Sequence, residues 1–385
     1  MTPANPAFDF EQLGRAPDVE AENLQAFDAA DRLLLDLAAD GLSAAAQEPG
    51  AVTVIGDSYG ALTLGAASLH GLHGIRVHQD PLSGELALDR NAAVLGLTGS
   101  YSHYPLDASL AAGAKVVLLR LPRSLDALEE IAELIAANAA PDVRVYAAGR
   151  IKHMTMAMND VLGRYFQSLT VSLARQKSRV LVAGGPRPQD ELPASRFPLE
   201  AAYDVGLPAP LQLRARGAAF GGAALDPGTR FLLPFLARAR ETGTAVDLGC
   251  GNGAIAAYLA LARPAIRVLA SDQSEAAVAS TELTLEANGV SDRADVRRAD
   301  ALSWLQDESQ DLVVLNPPFH IGASVHTGIA FKLFADAARV LRPGGELWTV
   351  WNSHLAYKPA LNRIVGPTEQ VARNPRFTVT VTTRR

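Results

Sequence analysis

Apolar side chains along this chain follow two alternating rhythms, and the whole alternation occurs twice. Leu24, Phe27, Leu34, Leu37 and Ala38 recur at helical spacing with acids between them, which predicts a helix over residues 8–46, stopped by Pro49-Gly50. The short apolar run 52–55 then predicts a buried strand, closed by Gly56-Asp-Ser-Tyr-Gly60 and followed by a helix over 61–69. Further strands are expected at 75–78, 115–119 and 143–146, with a strongly amphipathic helix over 125–137. The alternation of Met154, Met156 and Met158 predicts a strand or a loop packing feature. Six prolines between 186 and 210 mark a linker. Beyond it the rhythm restarts. Strands are expected at 244–248, 267–270, around Val296, and at 311–315, 346–351 and 376–381. Helices are expected at 254–262, 275–288, 329–341 and 359–364. Strands alternating with helices predict the α/β class, with doubly wound, mostly parallel sheets.

The two halves align with one another. Val54-Ile-Gly-Asp-Ser-Tyr-Gly-Ala-Leu62 lies over Asp247-Leu-Gly-Cys-Gly-Asn-Gly-Ala-Ile255, and Gln79 falls on Asp272 at the same offset. Leu119-Arg-Leu-Pro-Arg123 falls on Leu315-Asn-Pro-Pro-Phe319 after a three-residue gap. A repeat of this size means two copies of one domain, expected over residues 1–205 and 206–385.

Composition fits that division. The chain has 385 residues, 48% hydrophobic and 20% charged, which excludes disordered, collagen and coiled-coil classes. No apolar run reaches the ~18 residues that a membrane span needs. The N-terminus has no basic residue before Arg15 and no apolar stretch, so no secretory signal is expected and a cytoplasmic location is. A single cysteine, Cys250, excludes a disulfide framework and a cysteine-cluster metal site. The net charge of −6 divides unevenly: residues 1–205 carry 16 basic and 25 acidic side chains, residues 206–385 carry 19 and 16. Two strips are basic, 144–179 with seven bases against one acid and the last 28 residues with six against one. Such strips are either solvated helix faces or contacts to a structured RNA.

Four constellations in the second copy can carry chemistry. Asp247-Leu-Gly-Cys-Gly-Asn-Gly253 follows a strand and opens a helix, so its backbone can turn sharply and approach a ligand. Gly249, Gly251 and Ala254 also satisfy a dinucleotide pattern, so a nicotinamide cofactor remains open here. Asp272 ends the next strand about 20 residues on, where an acid accepts from ribose hydroxyls. Asp300 and Ala301 follow the third strand, at the edge where a cofactor base is read. Last comes Asn316-Pro-Pro-Phe319, after the buried strand 311–315. Two prolines remove two N–H donors, fix two φ angles and keep Asn316 extended. The Asn316 amide oxygen and the Pro317 carbonyl can accept both hydrogens of a planar amine, and Phe319 can stack on its ring. A nicotinamide oxidoreductase has no use for this tetrapeptide.

These residues resemble the class I S-adenosylmethionine-dependent methyltransferases, and within them the amino-methylating branch marked by Asn-Pro-Pro-Phe or Asn-Pro-Pro-Tyr. The likeness covers residues 220–385 well and 70–110 poorly. Phe220-Gly-Gly-Ala-Ala-Leu-Asp-Pro-Gly-Thr-Arg-Phe-Leu-Leu233 and the tandem arrangement resemble the ribosomal RNA guanine-N2 methyltransferases. Asn352-Ser-His-Leu-Ala-Tyr357, with Leu361, Val371 and Asn374, is more similar to the 23S (large-subunit) branch than to the 16S one, as is the stretch 119–128. The resemblance implies two tandem Rossmann-like class I methyltransferase domains, the first degenerate and the second catalytic. It implies S-adenosylmethionine held by Asp247, Gly249, Cys250, Gly251, Asn252, Gly253, Asp272, Gln273, Asp300, Ala301 and Asn316. Catalysis falls to Asn316, Pro317, Pro318 and Phe319. The substrate is then guanine N2 in ribosomal RNA or a ribosomal subunit, with a protein glutamine or adenine N6 as the other amines such a motif can take.

In the first copy Val54, Ser58 and Gln79 replace Asp247, Gly251 and Asp272, and Arg-Leu-Pro-Arg replaces Asn-Pro-Pro-Phe. Each change removes cofactor or amine chemistry. Arg120, Arg123 and the strip 144–179 are expected either to hold RNA or to belong to an inert scaffold. No third ligand accompanies His320 and His326 at metal spacing, so no metal is expected. Trp348, Trp351 and Phe334 are expected in the core, Cys250 is not expected to be a nucleophile, and two fused copies are expected to act as a monomer.

Overall fold

The computed structural model of the chain describes residues 8–18, 20, 24–318 and 323–385, with the backbone alone for 323–327. The chain forms two compact units, Met1–Arg196 and Phe197–Arg385. Phe319 and His320 lie outside the described residues, as does the side chain of His326.

The first unit holds a seven-stranded sheet: β1 Val52–Ile55, β2 Ile75–His78, β3 Tyr101–His103, β4 Val116–Arg120, β5 Arg144–Arg150, β6 Phe166–Val171 and β7 Ser178–Pro186. Its order is β3-β2-β1-β4-β5-β7-β6, parallel except for β7, which runs against both neighbours. The second unit opens with a hairpin, β8 Leu199–Tyr203 and β9 Leu211–Ala215. Its sheet contains β10 Thr244–Leu248, β11 Arg267–Asp272, β12 Ala294–Arg298, β13 Gln310–Leu315, β14 Leu341–Asn352, β15 Thr368–Arg373 and β16 Phe377–Thr383. The order is β12-β11-β10-β13-β14-β16-β15, with β16 antiparallel. Strand for strand, the two orders are the same.

Both faces of each sheet are covered, so the central strands are buried throughout. In β10, Ala245 joins one apolar cluster while Val246 and Leu248 join another on the opposite face. Phe334, Trp348 and Trp351 are core side chains. The strand order reverses between β10 and β13, and the carboxyl ends on either side of such a switch point form a ligand crevice. Residues 249–253 and 316–318 follow those two ends.

Several elements differ from the sequence expectation. The first α-helix is Ala29–Ala45 rather than the whole of 8–46, because Asp28 and Asp31 form a capping box at its start. Met156–Tyr165 is a helix, with Met158 buried and Met156 exposed, so the methionines do not mark a strand. The proline-rich stretch contains β8, and the units divide nine residues before the expected 205/206. The reason is local: β9 packs along the helix Glu275–Ala287, whose buried Ser280 and Thr284 hydroxyls accept from the Arg216 and Arg214 amides, both at 2.9 Å.

Candidate active site

The Gly-rich turn after β10 is held from three sides. The Gly249 and Cys250 amides donate to the Ser271 carbonyl at 2.7 and 3.1 Å, tying the turn to the end of β11. The Gly251 amide donates to Asp272 Oδ2 at 3.1 Å, and the Ser274 amide to Asp272 Oδ1 at 3.0 Å. Gly251 sits at φ +55°, where an L side chain costs about 1–2 kcal/mol. A Cβ on Gly249 or Gly251 would meet nothing within 4 Å, so both face open space. Gly253 differs: its Cβ would meet Thr281 Cα at 2.9 Å, and this glycine serves helix packing.

Asp247 is fully buried beneath the turn. Its Oδ2 accepts from the Ala256 amide at 2.9 Å, capping the helix Ala254–Ala262, whereas its Oδ1 has no partner among the described residues. Burial, and then the charge of Asp272, raise its pKa to about 7. An uncompensated buried carboxylate oxygen is costly, and it suits a ligand that brings a donor or a positive charge. Cys250 is buried and its thiol is pushed up by burial, the opposite of an activated nucleophile.

Asn316 follows β13, with Pro317 buried behind it and Pro318 exposed. Its Nδ2 donates to Asp226 Oδ1 at 2.8 Å and to Thr229 Oγ1 at 2.9 Å. Both amide hydrogens are thereby used, and the flip of the amide is fixed by its partners. The Oδ1 that remains is buried and has no partner among the described residues. Asp226 also accepts from the Thr229 amide at 2.8 Å, as N-cap of the short helix Pro227–Leu232, so one carboxylate sets both the helix and the amide. The site thus offers one rigid, unsatisfied acceptor at the edge where a ligand amine can donate.

The other expected residues are placed less simply. Asn252 turns away from the open side, its Nδ2 donating to the Gly222 and Ala224 carbonyls at 2.9 and 3.0 Å. It ties the turn to the 220–225 segment. Asp300 pairs with Lys332 Nζ at 2.5 Å and stays half-exposed. Ala301 has φ +49°, and its carbonyl accepts from Ser271 Oγ at 2.5 Å. Gln273 is exposed at the start of the turn after β11. Sequence reasoning missed Asp226 and Thr229 as partners of Asn316; the visible signal was Asp-Pro-Gly-Thr, a helix-capping sequence 87–90 residues away.

Comparison with known proteins follows the same division. Residues 210–381 match the methyltransferase small domain family, and residues 1–187 match the RLMG N-terminal domain family. The ribosomal RNA large subunit methyltransferase G of Pseudomonas paraeruginosa is 38% identical over 377 residues, covering 97% of this chain and 98% of the relative. That of Pseudomonas aeruginosa is 38% identical over 369 residues, covering 95% and 96%. The chain belongs to the ribosomal RNA large subunit methyltransferase G family. Among solved structures, the T. thermophilus 16S rRNA N2 G1207 methyltransferase in complex with AdoMet and guanosine shares the fold. It aligns with a TM-score of 0.71 at 22% identity, over 93% of this chain and 92% of that one.

Methyltransferase G family members are S-adenosylmethionine-dependent, and the residues present fit that group. The open space beside Gly249 and Gly251 admits close approach, the Asp247 oxygen answers a positive charge, and Asp272 offers a carboxylate at the end of the neighbouring strand β11. The first unit of this chain offers none of these features. Asp57, fully buried in the turn after β1, accepts from the Leu62 and Thr63 amides with both oxygens, each at 2.8 Å. Gln79 is fully buried. Tyr59, the counterpart of Asn252, donates to Asp18 at 2.5 Å under the Arg15 guanidinium. Arg120, the counterpart of Asn316, pairs with Asp28 at 2.9 Å and Asp31 at 2.6 Å. Its charge is balanced inside the unit. Among the described residues no cluster of His, Cys, Asp and Glu is arranged to hold a metal, and no helix is long and apolar enough to cross a membrane.

Proposed function

We propose that this protein transfers a methyl group from S-adenosylmethionine to the exocyclic N2 amine of a guanine in 23S ribosomal RNA, at the Asn316 site. The observation that carries the reading is the buried Oδ1 of Asn316, without a partner among the described residues, its amide locked by Asp226 and Thr229. The large-subunit branch is favoured because relatives 38% identical over nearly the whole chain bear that name.

When bound, the cofactor supplies an already activated methyl on a sulfonium. The chain then needs no nucleophile of its own, and its contribution is alignment and charge stabilisation. Asn316 Oδ1 and the Pro317 carbonyl accept the two amine hydrogens and orient the nitrogen lone pair. As the nitrogen becomes positive, these acceptors stabilise it. The Asp226 carboxylate strengthens the effect, because a charged acceptor on Nδ2 polarises the amide toward its oxygen. Asp247, Gly249, Gly251 and Asp272 hold the cofactor, Ala301 and Gln273 line its edge, and Asn252 and Cys250 shape the turn. Phe319 stacks on the base. The excess proton leaves to solvent. The guanine must come out of its stack, at a cost of a few kcal/mol in a duplex. The first unit serves as scaffold or RNA holder through exposed bases such as Arg123 and Lys152. The enzyme works as a monomer, without metal, on cytoplasmic ribosomal RNA or a ribosomal subunit.

The test uses purified protein, tritiated S-adenosylmethionine and total ribosomal RNA from a strain lacking the gene. Label recovered from the 23S fraction as N2-methylguanosine is the expected result. Label in 16S would move the substrate to the small subunit, and no label in either would remove RNA as the substrate.

A further inference from the structure

Next to the Asn316 site lies a feature that methyl transfer itself does not use. The helix Pro227–Leu232 and the turn between β15 and β16 border an open depression of about 540 Å³, lined by Arg230, Phe231, Asn374, Arg376 and Phe377 together with neighbouring prolines. That volume falls in the range of small-ligand sites. The turn stands at the carboxyl edge of the sheet: Asn352, at the end of β14, is paired with Phe377, and the Ser353 amide donates to the Arg376 carbonyl at 2.8 Å.

Its link to the site is direct. A Cβ on Gly228 would meet the Phe377 ring at 3.3 Å. The ring thus lies against the backbone between Asp226 and Thr229, the two residues that hold Asn316.

The lining carries two arginines and no acid. Arg376 forms no ion pair among the described residues, and its guanidinium lies 5.5 Å from the Phe377 centroid. Arg230 is exposed, 5.9 Å from the Tyr203 centroid, and donates to the Asp204 carbonyl at 3.3 Å. The Asp204 carboxylate is occupied with the Gly206 amide. Phe231 and Phe377 lie 6.4 Å apart with planes 32° from each other, an apolar floor between the two cations. Aromatic rings flanked by guanidiniums match a nucleotide, which presents a flat apolar face and an anionic phosphate. An acidic peptide would satisfy the arginines and leave the aromatic floor without a flat partner.

We propose that this depression seats the nucleotide next to the target guanine on the RNA strand. Its phosphate lies between Arg230 and Arg376, and its base or ribose rests on Phe231 and Phe377. The inference rests on the RNA reading above and deepens it. A guanine turned out of its stack stays tied to its neighbour through one phosphate, and holding that neighbour beside Asp226 would set the angle at which the amine reaches Asn316.

The test compares the full-length protein with the double variant Arg230→Gln/Arg376→Gln. Three quantities are read: the Kd for unmodified large-subunit ribosomal RNA across a KCl series, kcat/KM for methylation of that RNA, and the Kd for S-adenosylmethionine. Losing one phosphate contact lowers the slope of log Kd against log salt by about 0.7. The expected result is that change, with kcat/KM down about tenfold and the cofactor Kd within about twofold, which shows the fold intact. The Arg230→Lys/Arg376→Lys variant should keep the wild-type slope, because the charge remains. A double Gln variant with wild-type slope and kcat/KM would overturn the subsite while leaving the methyltransferase reading in place. A wild-type protein that does not methylate ribosomal RNA would overturn both.

Discussion

At the end of β13 the second unit places Asn316, whose buried amide oxygen accepts from none of the described residues; at the end of β4 the first unit places Arg120, paired with Asp28 and Asp31. A second contrast lies one strand away. Both units cap the helix after the first turn with a buried carboxylate, Asp247 on Ala256 in one and Asp57 on Leu62 and Thr63 in the other. Asp57 spends both oxygens on the cap. Asp247 reaches up from the strand, spends one, and leaves the other bare. The cap is therefore a duty that either position can perform, and what the strand position adds is the free oxygen. The comparison separates what the fold requires from what the ligand requires.

The largest expected effect comes from undoing the closure of the first unit. Burial opposes the Arg120 charge, but Asp31 and Asp28 more than offset it, and burial in turn raises Asp31 to about 7. Replacing Arg120 with Met leaves those carboxylates uncompensated, and stability should fall by about 3–5 kcal/mol in denaturant unfolding of that unit. Next is Asn316→Ala: single-turnover methylation should slow about 10²–10³-fold with the cofactor Kd within about twofold. Equal losses in both would show that Asn316 holds the cofactor rather than the amine.

A matched pair sharpens the contrast of the turns. Gly251→Ala should lower stability by about 1–2 kcal/mol in thermal unfolding through left-handed strain, and weaken cofactor binding by calorimetry through a methyl in the open space. Its counterpart Ser58 already bears φ +67°, so Ser58→Gly should leave cofactor binding unchanged and relieve up to about 1 kcal/mol of strain in thermal unfolding.

The smallest effect is in pH. The Asp247 carboxyl is raised to about 7 by burial, so its contribution to stability declines as pH rises from its unfolded value of 3.8 through 7, where the buried charge forms. A positively charged ligand reverses the balance. Cofactor affinity should rise several-fold between about pH 5.5 and 7.5, and Asp247→Asn should flatten the curve.

Much of this comparison was legible in the chain. The repeated strand–turn–helix rhythm, the glycines after β10 and the prolines after Asn316 are local features, and local features survive without coordinates. Pairings across sequence did not. Arg120 read as a surface charge because nothing in the sequence brings Asp28 and Asp31, 92 and 89 residues away, to its guanidinium. The sequence did not show that Lys332, 32 residues on, pairs with Asp300. Nor did it show that the Asn252 Nδ2 donates to the carbonyls of 222 and 224, 30 and 28 residues away. The hairpin β8–β9 was hidden by prolines that flank it, its stability coming from buried hydroxyls of the helix Glu275–Ala287 rather than from its own pattern.

The most direct measurement is a calorimetric titration of the full chain with S-adenosylmethionine, alone and as Asp247→Asn and Arg120→Met. The account expects one site per chain, weakened by the change at Asp247 and unaffected by the change at Arg120 while the second unit stays folded. Two sites, or a single site that answers to Arg120 and not to Asp247, would contradict it.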